Sequence, residues 1–242
     1  MQFTGKTVFI TGANRGIGRA LVEACLSKNV GKVYAASRKI ENLPPFNDPR
    51  VVAIKLDISK NEEIKKAAEE CADTQILINN AGILNPGNIL EGNMEGFKKD
   101  MEINCFATLA MMRAFVPVLE KNKETRIVNI ASIASYVNFP FIAGYSASKA
   151  ALYSVSQAAR IELSAKGIPV HIVNPGAIDT DMNKGSTMDM TAPKDVAESI
   201  LKAVEDEIED IIPDKIGRGM FEVWRKSPKE LEDLSKKMYF GK

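Results

Sequence analysis

Short apolar runs alternate along the chain with segments whose apolar residues recur every three or four positions. The runs are TVFITG, KVYAAS, VVAIKLD, QILINNAG, RIVNIAS, PVHIVNPG and a short DIIPD. They are rich in Val and Ile and end in Gly, Pro, Asn, Asp or Ser, the pattern of β-strands. Between them lie Gly18 to Lys28, Asn61 to Ala72, Glu95 to Lys121, Gly144 to Lys166 and Pro193 to Glu207. These carry helical spacing, as at Val196, Ile200 and Val204. Pro193 suits a first helical turn. The alternation predicts an α/β fold: a parallel sheet of about seven strands with helices on both faces and right-handed crossovers. Nearly continuous Val and Ile runs predict strands covered on both faces. No repeat, low-complexity tract or linker interrupts the pattern, so residues 1–242 read as one doubly wound domain.

The rhythm changes after DIIPD. Residues 217–242 predict a tail of two short helices, the second opened by a capping box at Ser227-Pro228-Lys229-Glu230. Leu231, Leu234 and Met238 would form one packing stripe. PPFNDP, from Pro44 to Pro49, reads as a surface loop.

Composition narrows the class without naming a function. The 242 residues are 45% hydrophobic and 26% charged, with formal net charge +1. Nothing in that balance points to nucleic acid or a membrane surface. No apolar run approaches the ~20 residues of a membrane helix. MQFTGKTVFITG shows no signal-peptide pattern, so a cytoplasmic location is expected. Cys25, Cys71 and Cys105 have no CxxC spacing and read as buried apolar thiols. The sole histidine, His171, lies in an apolar strand and reads as a core or edge residue. One histidine without a cysteine or carboxylate cluster makes no zinc site.

The candidate chemistry begins at the first turn. The first strand runs into TGANRGIGRAL, placing Gly12, Gly16 and Gly18 between a strand and a helix. Glycines there permit a tight turn and close approach of backbone to a pyrophosphate, while the helix N-terminus favours negative charge. The spacing is G-x-x-x-G-x-G, in the strand–turn–helix context that a dinucleotide motif requires. Further along, GYSASKAA puts Tyr145 and Lys149 one helical turn apart among small residues. Taken alone, that stretch reads as ordinary helix filler with two surface side chains.

Together these residues resemble the classical short-chain dehydrogenase/reductase family, of the NADP-preferring carbonyl reductase type. The resemblance runs in order from Thr11 to about Thr180. TGANRGIG looks like the family's cofactor turn, with Asn14, Arg15 and Ile17 inside it. Asp57, followed by Ile58, is similar to the acid that contacts adenine. NNAG, from Asn79 through Ala81 to Gly82, looks like the motif closing the fourth strand. Asn104 occupies the position of the catalytic asparagine. Ser132 matches the serine, and Tyr145 with Lys149 the Y-x-x-x-K. Pro175, Gly176, Ile178 and Thr180 resemble the segment flanking the nicotinamide. The resemblance implies a Rossmann-type fold and hydride transfer between NADP(H) and an aldehyde or ketone, or the corresponding alcohol. It also implies roles: Tyr145 as proton donor, Ser132 on the substrate oxygen, Lys149 on the ribose hydroxyls, Asn104 holding a water of the proton relay. A cation beside a phenol favours the phenolate, so Lys149 is expected to lower the Tyr145 pKa. Small residues at Gly144, Ser146, Ala147 and Ala150 would let this helix pack closely on the sheet and on a partner subunit.

Each residue also has a plainer reading. Ser132 could be a turn former, as could Asn79 and Asn80. Asn104 could be an exposed helix polar group. Asp57 could cap the next helix, although Ser59 looks like the cap there. Cofactor choice is read at the end of the second strand. Here VYAASRK offers Ser37 and Arg38 and no acid. A guanidinium can bind a 2′-phosphate in bidentate fashion, and Arg15 adds charge nearby, so NADP is expected over NAD. Residues 177–192 are expected to form a mobile lid. Phe139, Phe141, Met182, Met188 and Trp224 are candidate pocket walls. The family's tetramers often end in TG-x-x-x-x-VDGG, which this tail lacks. A homo-oligomer, dimer or tetramer, is expected through the helices around Asn104 and Tyr145. Two other functions use this scaffold. A cofactor sensor would not need Ser132, Tyr145 and Lys149 together. A halohydrin dehalogenase replaces the lysine and loses the glycine turn.

Overall fold

A computed structural model describes residues 2–185 and 188–241. Seven parallel strands form one sheet in the order β3-β2-β1-β4-β5-β6-β7. They are β1 (Thr7–Thr11), β2 (Lys32–Ser37), β3 (Val51–Lys55), β4 (Ile76–Asn79), β5 (Arg126–Ile130), β6 (Val170–Val173) and β7 (Asp210–Ile211). The helices are α1 (Gly16–Ser27), α2 (Asn61–Glu70), α3 (Met94–Asp100), α4 (Thr108–Leu119), α5 (Ala143–Ser164), α6 (Pro193–Glu205), α7 (Lys215–Lys226) and α8 (Pro228–Phe240). The strand order reverses between β1 and β4, where doubly wound sheets bind their ligands.

Pleating divides the core into two layers. Val8 and Ile10 of β1 point to one face and meet Leu21 and Val22 of α1 and Val196, Ile200 and Val204 of α6. Phe9 points to the other face, among Ile64 of α2 and Met111 and Phe115 of α4. This is the period-two alternation of a strand covered on both sides. β3 departs from the expectation. It is an edge strand, and Val52 remains exposed because no further strand or helix covers it.

The predicted helix from Glu95 to Lys121 is observed as α3, a π-helical turn (Met101–Ala107) and α4 in succession. Met94–Leu119 is also long and apolar enough to cross a membrane by length and composition, contrary to expectation. Half of its most apolar stretch is buried in the fold, where Met111, Phe115 and Leu119 enter the core.

The tail forms α7 and α8. Ser227 Oγ accepts the Glu230 amide at 3.2 Å, but the Ser227 amide donates to the Val223 carbonyl. The capping box is therefore only half made, because α7 ends on the residue that begins α8. The predicted stripe also divides: Leu231 is buried, whereas Leu234 and Met238 are exposed. In residues 177–192, a bridge between Ile178 and Thr191 ties the two ends together, and Asp181–Asn183 make a 3-10 turn. Ser186 and Thr187 of that predicted lid, like Met1 and Lys242 at the termini, lie outside the described residues.

Candidate active site

A cavity of about 1100 Å³ opens at the carboxyl ends of the central strands. At one end stands the glycine turn. Gly12 and Gly16 have φ of +66° and +53°, a region other residues rarely enter. A Cβ on Gly18 would lie 2.1 Å from the Gly12 carbonyl oxygen. The Arg15 side chain makes no capping bond to the first turn of α1, whose amides can then meet an anion. Thr11 Oγ1 accepts the amides of Asn80 and Ala81, at 2.9 and 3.0 Å. Asn80 Nδ2 in turn donates to the carbonyls of Thr11 and Gly12.

Asn80 is therefore the asparagine that locks the turn. Asn79 does not line the cavity. It is buried and donates to Asn129 Oδ1 at 2.9 Å. Successive residues at a strand end face opposite ways, so one of the two asparagines had to point inward.

The adenosine end follows β2 and β3. Ser37, Arg38, Asp57 and Ile58 line it, with Lys39 and Asn42, which sequence reasoning missed. Asp57 accepts both the amide and the hydroxyl of Ser59, at 3.0 and 2.8 Å. Burial works to raise the Asp57 carboxyl. The two Ser59 bonds, with Arg38 and Lys60 nearby, hold it below its ordinary value. Ser59 is thus spent on Asp57 and does not cap α2, whose N-cap is Lys60. Arg15 Nη1 pairs with Asp181 at 2.8 Å, joining the glycine turn to the roofing segment.

At the other end, Ser132, Tyr145 and Lys149 converge, with Pro175, Gly176, Ile178 and Thr180 along the rim. Ser132 follows β5, and its hydroxyl accepts the Ala134 amide at 3.1 Å. Tyr145 and Lys149 lie in the first turns of α5. Lys149 Nζ donates to the Ile130 carbonyl at 2.7 Å and stands 5.7 Å from the Tyr145 ring centre.

The expected pKa effect is reversed here. Burial pushes the Tyr145 phenol up to about 12, against a hydrogen bond with Ser132 that favours the phenolate. Burial likewise lowers Lys149 to about 8, partly countered by the Asp100 carboxylate. Removal from water outweighs the cation, because the ammonium is directed at Ile130.

Asn104 is fully buried in the π-helical turn and does not line the cavity. Its Oδ1 accepts the Ile83 amide, and its Nδ2 donates to the Ile83 carbonyl and Ser148 Oγ, all at 2.9 Å. It holds the segment after Gly82 against α5, a placement no exposed helix residue would have. Gly144 is small for a different reason than predicted. A Cβ there would lie 3.0 Å from Phe97 and 3.1 Å from Asp100 Oδ2, both on α3 rather than on the sheet. Asp100 itself is fully buried and accepts both the backbone amide and the side-chain amide of Asn85, another residue that spacing alone did not single out.

Of the predicted pocket walls only Met182 lines the cavity. Phe139 packs on Phe141, and Trp224 on Tyr136. Phe141 and Met188 are exposed. The three cysteines are free and buried, and His171 lies in the core against the Ile208 carbonyl. Among the described residues no group of His, Cys, Asp and Glu could hold a metal.

A family model described as short chain dehydrogenase matches residues 6–191. The chain is 30% identical to a ketoacyl reductase, HetN, of Nostoc sp., covering 86% of this chain and 78% of the relative. A short chain dehydrogenase of Burkholderia cenocepacia, solved with NADP, superposes with a TM-score of 0.92 at 36% identity, covering 96% of this chain and 97% of that one. A 3-ketoacyl-(acyl-carrier-protein) reductase of Brucella melitensis, solved with NADH, gives a TM-score of 0.80 at 25% identity, with coverages of 87% and 97%. The glycine turn and a cavity large enough for a dinucleotide fit the nicotinamide cofactor these structures hold. The chain is an oxidoreductase with a nicotinamide dinucleotide site, and it belongs to the short chain dehydrogenase family.

Proposed function

We propose that this protein reduces an aldehyde or ketone with NADPH. The observation that carries the reading is the burial of Ser132, Tyr145 and Lys149 together at one end of a cavity that begins at the glycine turn. The nicotinamide supplies hydride when bound. The Tyr145 phenol, held protonated at neutral pH by burial, gives its proton to the substrate oxygen. Ser132 donates a hydrogen bond to that oxygen as negative charge develops. Lys149 holds the ribose hydroxyls and restores the proton to Tyr145, while Asn104 fixes Ile83 and α5 around the relay. A protonated tyrosine suits reduction better than alcohol oxidation, which needs the phenolate.

Preference for NADPH rests on Arg38 and Ser37 at the end of β2, with no carboxylate in that stretch to repel a 2′-phosphate. Lys39 adds charge at the same end of the cavity. A homo-oligomer is supported by Phe106 and Ile161, exposed near the helices expected at a subunit contact. A cytoplasmic location is supported by three free, buried cysteines.

The test is a panel of aldehydes, ketones and alcohols offered with each cofactor and followed by nicotinamide absorbance. Oxidation of NADPH with at least one carbonyl is expected. Cofactor binding without turnover of any compound would instead favour a sensor, and faster reaction with NADH would overturn the cofactor assignment.

A further inference from the structure

A buried carboxylate ties the start of the C-terminal helices to the rim of the active site. Asp214 is 1% exposed and precedes α7. Its Oδ2 accepts the Gly217 amide at 2.8 Å, capping the helix. Its Oδ1 accepts the Gly176 amide at 2.7 Å, from the loop that rims the cavity after β6. The three residues interlock without spare room. A Cβ on Gly176 would lie 2.6 Å from both Asp214 Oδ2 and the Gly217 nitrogen. A Cβ on Gly217 would lie 2.8 Å from Asp214 Oδ1 and 3.1 Å from the Gly176 nitrogen.

The tether continues to the catalytic serine. The Pro175 carbonyl, bonded directly to the Gly176 nitrogen, accepts the Ile133 amide at 2.8 Å and the Ser132 hydroxyl at 3.5 Å. From the other side, Phe221 and Trp224 of α7 pack on Tyr136, with ring centres 5.2 and 4.7 Å apart. Tyr136 closes the turn that Ser132 opens. Helix α7 with its N-cap thus touches both the loop that carries Ser132 and the loop that rims the cavity after β6.

We propose that Asp214 is a positioning residue: by fixing the Gly176 peptide it places the Pro175 carbonyl, which holds the Ile133 amide and so the backbone from which Ser132 reaches the substrate oxygen. The proposal rests on the reductase reading for the role of Ser132. A buried carboxylate accepting two amides does more than cap a helix, because only one of those amides belongs to the helix it caps. The other belongs to the loop facing the cavity. Loss of the carboxylate frees the loop while leaving Tyr145 and Lys149 in place, so the proton donor survives and its alignment with Ser132 does not.

The experiment is a double-mutant cycle on the full chain with Asp214→Ala and Ser132→Ala, read as kcat and KM with NADPH and a carbonyl from the panel. Small misplacements of catalytic groups can cost about 100-fold. Asp214→Ala is expected to lower kcat on the order of ten- to a hundredfold with a smaller change in KM. In the Ser132→Ala background the same change should cost little, since its route through the serine is already gone. A kcat within about twofold of wild type, or an equal loss in both backgrounds, would overturn the proposal. If Asp214→Ala does not fold, Asp214→Asn, which keeps one acceptor oxygen, enters the same cycle. If the wild type turns over no carbonyl, the reductase reading fails separately. Amide exchange at Gly176 then tests the tether: faster exchange in the variant sustains it, and unchanged exchange overturns it.

Discussion

The Lys149 ammonium lies 5.7 Å from the centre of the Tyr145 ring and donates its hydrogen bond elsewhere, to the Ile130 carbonyl at 2.7 Å. The pair is one turn apart on α5, as the spacing requires, yet the cation does not pull the phenol toward ionisation. With both groups out of water, each moves toward its neutral form. The Tyr145 phenol is therefore protonated at neutral pH.

Tyr145→Phe removes that acid and little else. It should fold and bind NADPH as the wild type does, while turnover of a carbonyl falls by about 10²–10⁴-fold. Steady-state rates and cofactor fluorescence check both halves. A phenylalanine enzyme that kept most of its activity would take the proton donor away from Tyr145.

Lys149 gives a pH signature in stability. Its pKa is about 8 in the fold against an ordinary 10.5, lowered by burial. Between those values the unfolded chain holds the extra proton, so the Lys149 contribution to stability rises with pH across that window and is least below it. The melting temperature of the wild type should therefore gain on that of Lys149→Met between pH 8 and 10.5. The difference between the two proteins cancels other titrating groups. A difference that stays flat with pH would mean that Lys149 titrates normally. The same variant should bind NADPH more weakly, because the ribose loses a donor.

Arg38 carries the cofactor prediction more than Arg15 does. Arg15 is already paired with Asp181, and an exposed pair of that kind contributes about 0–1 kcal/mol. Hydrogen bonds to charged groups contribute roughly 1.5–3 kcal/mol, so Arg38→Ala should weaken NADPH by about ten- to a hundredfold. NADH affinity should hardly change. Titrations of the wild type and Arg38→Ala with both cofactors decide the matter, and equal losses would show that Arg38 does not read the phosphate.

Gly18→Ala tests the turn. Its new Cβ would meet the Gly12 carbonyl oxygen at 2.1 Å and Asn80 Nδ2 at 2.4 Å. Backbone on that side cannot rotate away as a side chain would. Overpacking of this sort costs about 1–3 kcal/mol or more, which at this length lowers the melting temperature by roughly 2–4 °C per kcal/mol. Cofactor binding should be lost with it. Calorimetry and fluorescence titration measure both, and a variant with wild-type affinity would show that the turn can open.

Much of this architecture could be read in one dimension. Alternating apolar runs and helical periods carry the strand and helix order, because each strand is covered by its neighbours in the chain. Gly12, Gly16, Gly18, Ser132, Tyr145 and Lys149 stood out because strand ends, tight turns and one helical turn are local relations. What remained hidden was non-local. Nothing in NNAG tells which asparagine faces the cavity. The position of Asn104 was legible, but not its clamp on Ile83.

The sequence alone determined the parallel doubly wound sheet and the residues gathered at its switch point, since periodicity and turn chemistry act over a few neighbouring positions. Tertiary structure decided what those residues are physically. It raised the Tyr145 phenol and lowered the Lys149 ammonium, because burial depends on everything packed around them. It turned Asn79 inward and left β3 as a half-exposed edge. It also brought Asp214 to Gly176, across a separation of 38 residues, because strands β6 and β7 pair side by side in parallel and deliver the segments after them to the same rim.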